Sequence, residues 1–101
     1  MKEKFLSALS MARGAGKLVL GYDGVAASIG KEAVLVLCTK DCSERTLRNI
    51  QHLCEGVVPF RVVPWNQEDL ETKFHKKIGV VAVTDTNLAR LIEKNAVEDT
   101  E

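Results

Sequence analysis

The stretch "AVLVLC", residues 33–38, is an unbroken apolar run. A strand with one face in water alternates apolar and polar side chains, whereas a strand covered on both faces does not. "GVVAVT", residues 79–84, reads the same way. Two doubly buried strands need helices on either side, and the surrounding sequence supplies them. After the first strand, Asp41 as N-cap with Glu44 three residues on reads as a capping box, and Leu47, Ile50, Leu53 and Cys54 form the buried stripe of a helix. Before it, Val25, Ala26 and Ile29 share one face of a helix that starts near Tyr22 or Asp23 and ends at Gly30. Phe5, Leu6, Leu9 and Ala12 mark a first helix stopped by Gly14 and Gly16, and the short run "KLVL" leads from there to Gly21. "VVPFRVV", residues 57–63, reads as a strand with Pro59 near its start. A short helix from about Asn66 presents Leu70 and Phe74, and a last one presents Leu88, Leu91 and Ile92. Helices alternate with strands throughout. The expected fold is α/β: a three-layer α/β/α sandwich on a small central mixed sheet of about four strands.

The chain has 101 residues, 46% of them hydrophobic, enough for one modest core. Residues 1–95 are expected to form a single domain and 96–101 an acidic frayed tail, because Glu98, Asp99 and Glu101 stand there without a basic residue. Formal net charge is zero, yet residues 1–92 carry 13 basic and 10 acidic groups, a net of +3. No run approaches the roughly 18 apolar residues of a membrane span. "MKEKFLSALSMARG" lacks the apolar block of a signal peptide, so a cytoplasmic protein is expected.

Motifs with catalytic or cofactor chemistry fail on spacing. A Walker A loop needs glycine, four residues, then Gly-Lys-Ser/Thr; Gly16-Lys17 is preceded five positions back by Met11 and followed by Leu18. The dinucleotide fingerprint fails because Val19 stands three residues after Gly16. Cys38, Cys42 and Cys54 show no paired C-x-x-C spacing, and Cys38 and Cys54 read as small core residues. No nucleophile, base and oxyanion donor stand in a recognisable frame. The expectations are no enzyme, no cofactor and no metal.

What remains is a set of turns. If residues 33–38 and 79–84 share a sheet, the helix starts near Tyr22 and Asp41 lie at one edge, where free N–H groups attract phosphate. "FHKKIG", residues 74–79, brings His75, Lys76 and Lys77 to the start of a central strand, and Lys17, Lys31, Lys40, Arg45 and Arg48 surround the same edge. Gly21 and Gly24 let a nucleic-acid backbone come close. The bland alternative is that the glycines are caps and the lysines a solvated surface.

The order "RGAGKLVLGYDGVAASI", "AVLVLCTKDCSERTLRNIQHLCE", "VPFRVV", "DLETKFHKKIGVVAVTD" and a closing helix resembles the ribosomal protein L7Ae and L30e superfamily over residues 3–95. Its members bind kink-turn RNA, and the small bacterial YlxQ-like branch is the most similar. The resemblance implies a non-enzymatic, monomeric RNA-binding protein that grips sharply bent RNA, with the ribosome as an expected partner. Carried over by position, it implies that Gly21, Tyr22, Asp23 and Val25 approach the bend, with Lys17 leading to it. It places Thr39, Lys40 and Asp41 on a second contact and His75, Lys76, Lys77, Ile78 and Gly79 on a loop against an extruded nucleotide. "GYDGVA" lacks the Asn-Glu pair of many members and has the Gly-Tyr of the L30e form. The alternative is a protein-interaction module on the same fold, with Trp65 and Phe60 as exposed anchors, although a tryptophan after Pro64 is more often a loop or core packing residue.

Overall fold

The computed structural model describes residues 2–96. Its elements are α1 (Lys2–Gly14), β1 (Leu18–Leu20), α2 (Tyr22–Ser28), β2 (Leu35–Thr39), α3 (Glu44–Cys54), β3 (Phe60–Val63), α4 (Gln67–Phe74), β4 (Val80–Val83) and α5 (Thr86–Lys94). The strands form one mixed sheet in the order β1-β4-β2-β3. β2 and β3 are parallel, joined through α3, and β4 runs antiparallel to both β1 and β2.

The pleat of β2 explains the layers. Leu35 and Leu37 point to one face, where α1, α4 and α5 close a core around Phe5, Leu9, Leu70 and Ile92. Val36 and Cys38 point to the other, where α2 and α3 supply Val25, Ile50 and Cys54. All five residues of β2 and all four of β4 are buried, as their unbroken apolar sequences require.

Several local expectations shift, each for a visible reason. The strand expected from residue 57 starts at Phe60, because the amides of Val57 and Val58 turn back to the Cys54 carbonyl at the end of α3. Asp41 is not the N-cap of α3. Ser43 is, its hydroxyl accepting from the Thr46 amide at 3.1 Å, while the Asp41 carboxylate accepts from the Gln67 amide at the start of α4. Leu53 and Leu91 lie on the outer flanks of their helices and are exposed rather than buried.

Trp65 is not an exposed anchor: it is buried, its ring 4.7 Å from that of Phe5, and only Phe60 remains half-buried. Such an aromatic pair adds roughly 0.5–1.5 kcal/mol beyond area burial. Ala96, placed in the tail by the sequence, packs into the core, and the rest of that tail lies outside the described residues. Among the described residues no helix is long and apolar enough to cross a membrane.

Candidate nucleic-acid interface

One edge of the sheet collects the carboxyl ends of β1, β2 and β3 and the amino end of β4. Three connections meet there and are bonded together. The Gly21 amide donates to the Val80 carbonyl (2.9 Å), and the Thr39 amide donates to the Gly79 carbonyl (2.9 Å). The Cys42 thiol donates to that same Gly79 oxygen at 3.1 Å. Between the connections lies a depression of about 210 Å³, lined by Gly21, Tyr22, Thr46, Gln67, Lys77 and Gly79 among others.

Two glycines make this close meeting possible, for different reasons. Gly21 has φ +93, in the region that side-chain-bearing residues avoid, and this lets the chain turn from β1 directly into α2. Gly79 lacks that dihedral; it is glycine for want of space. A Cβ there would lie 2.6 Å from the Cys42 sulfur and 3.1 Å from the Gln67 side chain. His75 closes α4 in the left-handed conformation at φ 62, the single such non-glycine residue among those described.

The model of the ribosomal protein L7Ae/L30e/S12e/Gadd45 family matches residues 3–98. The chain belongs to that family. Its fold is similar to a protein of unknown function from Bacillus halodurans C, with a TM-score of 0.76 and 28% identity over 89% of this chain and 97% of the other. It is also similar to the 15.5 kD RNA-binding protein of Giardia lamblia, with a TM-score of 0.74 over 90% of this chain and 80% of the other. At 13% identity that second likeness concerns the fold alone. No curated protein sequence matches.

In this L7Ae/L30e/S12e/Gadd45 member the residues expected at the site divide into three groups. Gly21, Tyr22, Lys77, Ile78 and Gly79 line the depression, and Asp23, Lys40 and Asp41 are exposed on the connections beside it. Val25 and Thr39 have buried side chains, with Val25 at 0% exposure in the α2–α3 core, so they support the edge from behind rather than presenting a side chain to a ligand; Ile78 borders the depression but is buried as well. His75 and Lys76 are exposed on the approach to β4 but do not line the depression.

Lys17 is misplaced by the sequence reading. Its carbonyl accepts from the Thr84 amide, which puts it at the far end of β1, on the order of 13 Å of extended chain from Gly21. Lys31 lies at that far end too, in the turn where its amide bonds the Ser28 carbonyl. The sequence reading also missed Ser43, Thr46 and Gln67, which line the depression. For the first two the signal was present, a serine three residues before a threonine at a helix start.

The charge pattern of the edge is mixed. Among the described residues the ion pairs are Lys2–Asp69, His52–Glu55 and Arg61–Glu93, so Lys40, Arg45, Lys76 and Lys77 take part in none of them, while Arg48 stands further along α3, off the depression. Asp23, Asp41 and Glu44 stand exposed along the same edge. The amino ends of α3 and α4 point here, yet amides of both are already held, that of Thr46 by Ser43, Gln67 by Asp41 and Asn66 by Asp69. Those ends therefore contribute dipole field more than open donors. The Asp69 carboxyl is held below its ordinary range, chiefly by the Asn66 amide and, against some burial, by the Lys2 ammonium.

The cysteines are packing groups. Burial pushes the Cys38 thiol far up, with help from nearby Cys42 and Cys54, and burial raises Cys54 as well. Among the described residues no three His, Cys, Asp or Glu side chains are grouped to hold a metal ion.

Proposed function

We propose that this chain is a single-domain, non-enzymatic RNA-binding protein, acting as a monomer, that receives sharply bent RNA at the edge formed by residues 21–23, 40–46 and 77–79. A kink-turn is the first RNA to test, and association with the ribosome is the expected cellular setting. The observation that carries the reading is the convergence of the three connections on a depression bordered by Gly21 and Gly79, with the Lys77 side chain at its wall. Family membership and the RNA-binding name of the Giardia protein support the same reading.

Each part of the edge suits a different part of the RNA. Lys40, Lys76 and Lys77 are mobile point charges matched to phosphates, which supply affinity without reading sequence. Gly21, beside which nothing lies within 4 Å of an added carbon, keeps its wall low, so that a sugar-phosphate backbone approaches main chain. Tyr22, an aromatic ring 38% exposed at the rim, offers a face for an unstacked base. Specificity then comes from the shape of the bend, since a regular duplex cannot enter a concave edge of this size.

The test is fluorescence anisotropy with a kink-turn hairpin and a straight duplex of equal length, titrated at several salt concentrations. The hairpin is expected to bind more tightly, with affinity falling steeply as salt rises. Equal affinity for both RNAs, or affinity indifferent to salt, overturns the proposal. The protein-interaction alternative loses its main support, because Trp65 is in the core.

A further inference from the structure

Beside the depression, on the outer side of α2 and α3, lies a second groove of about 350 Å³, lined by Tyr22, Arg48, Asn49, His52 and Leu53. Tyr22 borders both hollows, so the two share one aromatic residue. Resting on the RNA-binding reading above, we infer that this groove holds an unpaired stretch of the same RNA, one or two nucleotides that leave the bend and stack along α3.

The helix geometry arranges the chemistry. Arg48 and His52 are four residues apart, as are Asn49 and Leu53, so the four side chains form two adjacent ridges facing Tyr22. Leu53 is 41% exposed and Tyr22 38%, an apolar and aromatic pair open to water, against which a base can lie flat. Arg48 is exposed, takes part in none of the ion pairs among the described residues, and presents a planar guanidinium suited both to stacking and to phosphate. The His52 side chain is 84% exposed, and its Nδ1 lies 3.8 Å from a Glu55 oxygen, which leaves the ring mostly free. The Asn49 amide can both donate to and accept from a base edge. An aromatic platform flanked by a cationic guanidinium is the arrangement that takes single strands with little regard to sequence.

The experiment compares two RNAs, a kink-turn hairpin and the same hairpin with a short unpaired adenosine tract at its end, on the wild type and on Arg48→Ala/His52→Ala. The substituted side chains are exposed, and circular dichroism confirms that the variant folds. The tract is expected to tighten wild-type binding by roughly tenfold per stacked base. The variant is expected to lose that increment and to keep its affinity for the plain hairpin within about threefold. Separately, the trinucleotide ApApA is expected to shift the Tyr22 ring resonances in the wild type. If the tract adds less than twofold, or if its increment survives in the variant, the groove is not an RNA site and belongs to another partner. If the plain hairpin binds no better than a straight duplex, the parent reading fails, and this inference fails with it.

Discussion

The two ends of the central sheet are built from similar residues and differ in what they leave open. At the far end, Lys17 and Lys31 sit in tight turns: the Lys17 amide bonds the Ala12 carbonyl, the Ala33 amide bonds Ser28, and the Thr84 amide bonds Lys17. Helices α1 and α2 end there. At the near end α2, α3 and α4 begin, three connections are pressed together over Gly79, and a depression remains between them. A glycine and a lysine at each end therefore do different work. The lesson is that composition marks turns, while chain direction decides which turns gather and which helix ends they carry.

Substitution at Gly79 gives the strongest test of that difference. Gly79→Val places a side chain against Cys42 and Gln67 and is expected to cost about 3 kcal/mol of stability, read by urea denaturation. Gly14→Ala, where nothing lies within 4 Å of the added carbon, is expected to change stability by less than about 1 kcal/mol. Equal costs would mean that the near end is not tightly joined.

Next in size is the charge comparison. Lys76→Ala/Lys77→Ala is expected to weaken RNA binding at least tenfold and to lower the slope of log affinity against log salt by about 2. Lys17→Ala/Lys31→Ala, at the other end, is expected to change affinity less than twofold. The reverse outcome would move the RNA to the far end.

A smaller effect concerns the start of α4. Asp69→Asn is expected to cost about 1 kcal/mol at pH 7, because the carboxylate accepts from the Asn66 amide at 2.9 Å. The folded-state pKa of Asp69 lies below its unfolded value, so its contribution is complete above the unfolded pKa and is lost as pH falls through the folded one. Thermal melts of the two proteins should accordingly converge at strongly acidic pH and separate towards neutrality. Smallest of all, His75→Gly relieves the left-handed cap and is expected to raise stability by roughly 0.5–1 kcal/mol, leaving the salt slope of RNA binding unchanged.

Much of the fold was legible because hydrophobic period reports directly on burial. β2 and β4 could be placed within two residues, and Gly14 marked the end of α1. The helix ends were less legible: Asp41 with Glu44 three residues on reads as a capping box, and only the position of Gln67 shows that Asp41 serves α4 while Ser43 caps α3. The outward positions of Leu53 and Leu91 were hidden for a related reason: an apolar residue on the flank of a stripe is buried only if a neighbour reaches that far. Of the residues that line the depression, Gly21, Tyr22, Lys77, Ile78 and Gly79 could be named from the sequence. The place of Lys17 could not be, because a three-residue strand carries its two neighbours to opposite ends of a sheet.

The amino-acid sequence alone determined the layered α/β/α architecture, because two unbroken apolar strands and the amphipathic helices around them have no other way to leave water. Tertiary structure alone decided which lysines share an edge, that Gly79 is required by its neighbours' volume rather than by its own dihedral, and that Trp65 points inward. Those properties depend on distances between segments far apart in the chain, and such distances exist only once the sheet has formed.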